Sequence, residues 1–343
     1  MERWRPTPTL PAPETAPSTT ASPPPASRAA PWPESTLPAR DAPRTLQPAE
    51  SPPLAGHAAD VTSIAISPDG RWLASAGNDK KLMLWDAAKG VSVRQWTAHG
   101  FRITSLAFSP DGRQVLSASD ERRGNLRLWD TASGRLVHSF DGQNFGLEAA
   151  AFSPDGKLVA ACGGPRGNVT LWDAKTGRAV RTLSADAYAL AFSPDGRTLA
   201  TAGAGRAISL WEVSSGQALH RLEGHTDAVR SLSFSRDGQL LASAGDDSRI
   251  RVWRVAEHRQ VQALPLPWAV AVAFFPDGRR LLAGARIWGG NMPRGPQIWD
   301  LATHAPLATL NMGSPTRAIA VASDGSWVAS SDKQSIRVWK MPS

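Results

Sequence analysis

Seven times between Leu54 and Lys340 the chain passes through the same order of signals, and an internal repeat of fixed period decides architecture before local propensity does. The clearest copy is Leu222 to Val255, LEGHTDAVRSLSFSRDGQLLASAGDDSRIRVWRV. It holds a Gly-His pair, an alternating apolar run, an Asp-Gly turn, a second alternating run, an Asp-rich corner and a third run ending in Trp253. The turn is Ser67-Pro68-Asp69-Gly70 in the first copy and Ser-Pro-Asp-Gly again from Ser109, Ser153 and Ser193. It becomes Ser-Arg-Asp-Gly at Ser235, Phe-Pro-Asp-Gly at Phe275 and Ala-Ser-Asp-Gly at Ala322. Pro presets the first corner, Asp bonds its own backbone and Gly takes the left-handed position, so each copy predicts a hairpin.

A tryptophan closes each third run, at Trp85, Trp129, Trp172, Trp211, Trp253, Trp299 and Trp339, with spacings of 44, 43, 39, 42, 46 and 40 residues. Short polar turns ending in Gly90, Gly134, Gly177 and Gly216 follow the first four and start a fourth strand. A period of about 40 to 45 residues with Gly-His near its start and Trp-Asp near its end is a propeller-blade pattern. From Leu54 to Lys340 the chain resembles the WD-repeat β-propeller family, and its Ala, Arg and Pro usage with near-identical turns is similar to bacterial members. The resemblance implies an all-β fold, a seven-bladed β-propeller of four-stranded antiparallel blades spanning 43–343.

Residues 1–42 are rich in Pro, Ala, Ser and Thr, include Pro23-Pro24-Pro25, and offer few large apolar groups to offset ordering entropy. A disordered Pro-rich N-terminal tail or linker is expected there. The last copy ends at Trp339, too near the terminus to supply an outer strand. In the family that strand comes from upstream of the first repeat, so a segment near 44–54 should close the ring. Pro48, Pro52 and Pro53 interrupt it, which predicts a short, poorly paired edge.

With 41% hydrophobic and 20% charged residues, a chain of 343 residues builds a core without staples. Its one cysteine, Cys162, excludes an intramolecular disulfide and is expected to be a small buried strand residue. The start MERWRPTPTL lacks the apolar core of a secretory signal, and the longest apolar run, Leu264 to Pro276, is too short for a membrane helix. A cytoplasmic location, no membrane partner and a monomeric propeller are therefore expected. The net charge of +8 falls on the repeats, because charges through Ser51 cancel. That balance favours acidic partners by long-range attraction.

His57, Ser75 and Asp79, like His225, Ser243 and Asp247, invite comparison with a hydrolase triad. There is no G-x-S-x-G elbow, and the set occurs more than once, whereas an active site is normally single. The resemblance implies instead a buried hydrogen-bonded chain from Asp to His to Ser to the indole of Trp85 or Trp253. The second repeat keeps His99, Ser117 and Trp129, but Asp120 is displaced by the insertion Glu121 to Gly124. The third has Gln143 and Ala161, the fourth keeps Thr201 with Gly205 at the corner, and the sixth has Pro265, Ala283 and a long insert from Arg286 to Pro296. The seventh has Met312, Ser330 and Asp332. Repeats one and five should be rigid, and three, four, six and seven should rely on apolar packing.

Neither Gly203-Ala204-Gly205 nor Gly163 to Gly167 has the residues of a phosphate loop, and the seven histidines lack ligand spacing. No cofactor, no metal and no catalytic residue is expected. In the family the partner-binding mouth is lined by residues five and three after the His position and by the residue before the corner Asp. Carried over, the first offset gives Thr62, Thr104, Glu148, Tyr188, Arg230, Val270 and Arg317; the second adds Asp60, Arg102, Asp186 and Trp268, and the third Asn78 and Asp246. Tyr188, Arg230, Arg317, Trp268, Arg102, Glu148, Asp246 and Asn78 are the partner-binding candidates. Tyr, Trp and Arg dominate interface hot spots, and Arg binds carboxylates bidentately, so a protein or acidic peptide is the expected partner. A nucleic acid or other polyanion is the alternative, disfavoured by the lack of clustered Lys/Arg runs. An enzyme using the propeller channel is a third reading, without an unpaired cluster of acids or histidines to support it.

Overall fold

The computed structural model describes residues 44–46, 53–123, 125–140, 145–163, 168–286, 295–312 and 314–342. The proline-rich tail assigned to 1–42 lies outside them, as do Gln143 and most of the insert between Arg286 and Pro296. The described part lies in one compact unit, Ala39–Ser343. Among the described residues there is no helix, so none is long and apolar enough to cross a membrane.

Seven antiparallel sheets follow one another along the chain as blades 1 to 7, covering 61–97, 103–140, 149–183, 189–222, 229–265, 269–310 and 318–340. This is a seven-bladed propeller. Each of the first six blades supplies four consecutive strands, as in blade 5 with Val229–Phe234, Leu240–Gly245, Arg249–Arg254 and Arg259–Pro265. The Asp-Gly turns join first to second strands. At the first of them Gly70 has φ 69°, Ser67 Oγ donates to Asp69 at 2.5 Å, and the Trp72 N–H returns to Ser67 Oγ at 2.8 Å. Phe275 offers no such hydroxyl in blade 6. There Arg280 covers the Phe275 ring at 4.5 Å and donates to Asp277 at 2.6 Å, so a cation–π contact and an ion pair stand in for the serine.

Packing between blades follows from the second and third strands. Leu-Ala-Ser-Ala-Gly runs such as 73–77 and 241–245 are buried throughout, and their small residues let neighbouring sheets approach closely. Each repeat tryptophan packs against the preceding blade: Trp253 sits among Ala189, Ala200 and Leu210 of blade 4, and Trp339 among Leu282 and Ile298 of blade 6. Trp85 lies against Ala329 and Ile336 of blade 7, so the same contact that spaces the blades also closes the ring.

Blade 7 draws only three strands from the C-terminal end, Ala318–Val321, Trp327–Ser331 and Ser335–Lys340. Its outer strand is Leu54–Ala55, antiparallel, with Leu54 opposite Ile336 and Ala55 opposite Ser335. The other strand upstream of the first repeat, Arg44–Leu46, runs parallel to Ala305–Leu310 as a fifth strand on blade 6. The 44–54 segment is thus divided between two blades. Pro48, Pro52 and Pro53 lie in the intervening sequence, and a proline has no N–H to give to a ladder.

Candidate functional site

First-to-second and third-to-fourth turns lie at one end of the ring. The antiparallel order therefore gathers the Gly-His loops and the corner loops at the other end. Two kinds of side chain share that end, one folded inward and one facing out.

The inward set is a chain of hydrogen bonds. In blade 1, His57 Nδ1 meets Asp79 at 2.8 Å and His57 Nε2 meets Ser75 Oγ at 2.7 Å. The Trp85 indole N–H donates to the same Oγ at 2.7 Å, and Asp79 also accepts the Ala58 N–H at 3.1 Å. Blade 5 repeats this with His225–Asp247 at 2.9 Å, His225–Ser243 at 2.7 Å, Trp253–Ser243 at 2.9 Å and the Thr226 N–H on Asp247 at 3.1 Å. Arg251 adds a further bond to Asp247 at 3.1 Å. Burial holds His225 below the usual imidazole range, although Asp247 pulls the other way. A neutral ring with its proton on Nδ1 satisfies every member: Nδ1–H donates to the carboxylate, Nε2 accepts the serine O–H, and the serine oxygen accepts the indole N–H. Ser75 and Ser243 are wholly buried. Their hydroxyls face no substrate, and the set pins a loop to the third strand.

Blade 2 fills the corner position with a glutamate, counted from the sequence as part of the insertion. His99 bonds Ser117 at 2.7 Å and Trp129 bonds Ser117 at 2.8 Å, but the carboxylate beside them belongs to Glu121. Glu121 accepts the Gly100 N–H, as Asp79 and Asp247 accept those of Ala58 and Thr226, and it pairs with Arg127 at 3.1 Å. It stands 3.6 Å from His99 Nδ1, which has no hydrogen-bond partner. Burial first, then the Arg127 charge, push His99 down to about 4 against the pull of Glu121. Asp120 is the residue before this corner acid, which is a mouth position. Glu121 follows His99 by 22 residues, as Asp79 follows His57 and Asp247 follows His225, so the spacing from the histidine was the available signal and the extra residues lie after the acid.

The outward set lies on the same loops. Arg230 donates to Asp246 Oδ2 through Nε at 2.7 Å and through Nη2 at 2.5 Å, and its guanidinium lies 5.2 Å from the centre of the Tyr188 ring on blade 4. Arg102 donates to Asp120 at 2.5 Å and approaches Glu148 of blade 3 at 3.9 Å. Desolvation raises the Glu148 carboxyl, and Asp120 adds to this against Arg102. Arg317 of blade 7 reaches Asp60 of blade 1 at 3.0 Å, across the ring closure. Asn78 is exposed beside it, its N–H on the Asp60 carbonyl at 2.9 Å. Trp268 is 55% exposed with φ 56°, a left-handed conformation rare for so large a residue.

Two of the offset positions have another task. Thr62 donates to the Ile103 carbonyl of blade 2, and Thr104 to the Leu147 carbonyl of blade 3 at 2.7 Å, so these hydroxyls clip neighbouring blades together. The offsets also passed over Phe101 and Phe145, 61% and 54% exposed, on the loops that carry Arg102 and Glu148. Cys162 is buried in the blade 3–blade 4 core, and burial pushes its thiol up, away from reactivity. Among the described residues no group of three or more His, Cys, Asp or Glu side chains is placed to hold a metal ion.

Seven four-stranded blades, three of them with an indole tied through a serine to a histidine beneath the loops, define a β-propeller of the tryptophan-aspartate class. The model of the WD40 family, described as WD domain, G-beta repeat, matches residues 50–86, 90–130, 134–173, 177–212, 216–254 and 305–340. This is well over half of the chain, and the chain belongs to that family. Propellers of the family generally mediate protein–protein interaction. The chain is 48% identical over 52 residues to a protein named probable serine/threonine-protein kinase PkwA from Thermomonospora curvata, covering 15% of this chain and 7% of that protein. It is 43% identical over 65 residues to a protein named ribosome biogenesis protein BOP1 homolog from Monosiga brevicollis, covering 18% of this chain and 8% of that protein. The chain therefore spans less than a tenth of the length of either relative.

Proposed function

We propose that the protein is a noncatalytic interaction scaffold that docks a partner protein over the mouth formed by the Gly-His and corner loops. The observation that carries this reading is the cross-blade set of Tyr188, Arg230 and Asp246. The Asp246 carboxylate holds the Arg230 guanidinium over the Tyr188 ring, so an aromatic and a cation are fixed in position before any partner arrives. Preorganised anchors lose little entropy on binding. Trp268 supplies a further large exposed anchor on blade 6, and Arg102, Glu148, Arg317 and Asn78 form the polar rim.

A guanidinium has five N–H donors, and Arg230 gives Asp246 only those on Nε and Nη2. The remaining donors suit a carboxylate, so an acidic segment beside an apolar side chain is the partner chemistry favoured here. A polyanion fits less well. Arg102, Arg230 and Arg317 each carry an acid of the protein's own, which makes the mouth a mosaic of charges and not one positive field. The matched parts of the two relatives are one to two repeats long, and they support a shared repeat without transferring either named activity.

The test is affinity capture and cross-linking mass spectrometry in the native host with Tyr188→Ala, Arg230→Ala and Trp268→Ala. Loss of the captured proteins in these variants, with the fold intact, is expected. Capture of the same proteins at wild-type abundance by all three variants would overturn the reading.

A further inference from the structure

The outer edge of blade 7 is unfinished. Blades 1 to 6 end in outer strands of 7, 5, 5, 5, 7 and 6 residues, whereas the outer strand of blade 7 is Leu54–Ala55, 2 residues long. It covers only Ser335 and Ile336 of the strand Ser335–Lys340. The Met341 N–H donates inward to Ser326 at 2.8 Å, and along an antiparallel strand successive residues turn their main chain to alternate sides. Lys340 and Val338 therefore present N–H and C=O groups outward, and no strand among the described residues pairs with them. No strand among the described residues completes this ladder. Continued backward from Leu54 opposite Ile336, the register sets Pro52 opposite Val338, and proline has no N–H to give.

Beside this edge lies a groove of about 440 Å³ between blades 7 and 1. Leu54, Trp327, Ile336, Val338 and Met341 give it apolar walls, and Lys340 is its one charged lining residue. Lys340 is exposed and makes no ion pair among the described residues. Val338 and Lys340 stand two residues apart, hence on one face of the strand. An incoming strand would set an apolar side chain over Val338 and, two residues along, a carboxylate over Lys340. Two copies of the protein joined edge to edge would instead bring two lysines to the seam with no acid lining either groove.

We propose that the open edge at Val338 and Lys340 is a β-augmentation site for an extended segment of a partner protein, with apolar and acidic side chains alternating on its groove-facing side. The site is separate from the mouth, so it stands or falls independently of the docking reading given above.

The probe is a fluorescein-labelled, amidated peptide Thr-Val-Thr-Glu-Thr-Val, titrated into the full chain and followed by anisotropy. Wild-type protein should bind it, and Val338→Pro, which removes one outward N–H, should abolish binding. Lys340→Glu should weaken binding about fivefold, the range of one exposed ion pair, and a peptide with Lys in place of Glu should regain that loss on the same variant. A peptide N-methylated at the amides facing the edge should not bind. If Val338→Pro does not fold, the N-methylated peptide and the charge swap decide the matter without it. Absence of wild-type binding up to millimolar peptide, equal binding of the N-methylated form, or indifference to the charge swap would each overturn the proposal. So would a concentration-dependent dimer, seen by sedimentation, that Val338→Pro abolishes and added peptide competes away, because the edge would then serve a second copy.

Discussion

Blades 5 and 6 share strand order and register, with Leu241 opposite Trp253 in one and Leu281 opposite Trp299 in the other, but they are held by different forces. Blade 5 has the complete relay from Asp247 through His225 and Ser243 to Trp253. Blade 6 has Pro265 and Ala283 at the His and Ser positions, and the Trp299 indole N–H has no partner. Trp299 is instead buried in an apolar cluster with Val252, Leu264 and Leu281 that spans both blades. The comparison separates two tasks. Main-chain ladders and apolar burial are enough to build a blade, and the polar relay is an addition that fastens the connecting loop. The matched segments of the family model omit 255–304, although strands of blade 6 are in place there.

The largest way to break this comparison is to remove the acid of blade 5. Asp247→Ala leaves His225, the Thr226 N–H and Arg251 without their shared acceptor, and breaking a buried charge-paired network costs about 3 to 5 kcal/mol. Urea unfolding should show that loss, and hydrogen exchange should show it first in 225–254. Blade 6 has no equivalent to remove, so an effect that spreads evenly over both blades would contradict the division of labour.

Acid should expose the same asymmetry more gently. His99 is depressed to about 4 from 6.5 in the fold, first by burial and then by Arg127, and His225 is lowered in the same sense. Below 6.5 the unfolded chain takes up protons that the folded chain refuses. Stability is thus full above that pH and falls as pH drops towards 4, at a slope reaching about 1.4 kcal/mol per pH unit for each such histidine. Urea midpoints at several pH values across this window should show the slope, and His99→Gln should reduce it.

How much of this was legible in the sequence depends on the scale of the signal. The blade count, the turns at Gly70 to Gly325 and the tryptophan positions follow from a repeat seen seven times, and the structure agrees with each. Where a copy departs from the repeat, less was legible. In blade 2 the corner acid keeps its 22-residue offset from His99 but is a glutamate, and it went unread because the extra residues were counted as beginning at Glu121 when they follow it. Thr62 and Thr104 sit at mouth offsets, but a short hydroxyl beside a neighbouring carbonyl satisfies that carbonyl before it meets a partner. The pairs Arg102–Asp120 and Arg230–Asp246 follow from the register of the first two strands of their blades, which the repeat alone did not give, and Arg317–Asp60 forms only where the ring closes blade 7 onto blade 1. A short closing edge was legible in Pro48, Pro52 and Pro53, and the pairing of Arg44–Leu46 with blade 6 was not.

A smaller change should sharpen the comparison from the other side. Ala283→Ser puts a hydroxyl where blade 5 has Ser243, within the same register, and gives the Trp299 N–H an acceptor. A net hydrogen bond contributes about 1 kcal/mol, so thermal or urea unfolding should show a gain of that order. A loss instead would mean that the apolar cluster around Trp299 is too tightly filled to admit one oxygen, and that blade 6 has been packed for its missing relay.

The smallest effect on stability, and the one that separates glue from function at the mouth, is expected at Arg230. It is exposed, and its bonds to Asp246 and its contact with Tyr188 lie on the rim. An exposed ion pair contributes about 0 to 1 kcal/mol, so Arg230→Ala should barely move the unfolding midpoint. Arg251, by contrast, is bonded to the buried Asp247 of the relay, and Arg251→Ala in the same blade should move it more. If Arg230→Ala destabilises the fold as much as Arg251→Ala, the outward set belongs to the structure as the inward set does, and the mouth loses its claim to be a separate docking surface.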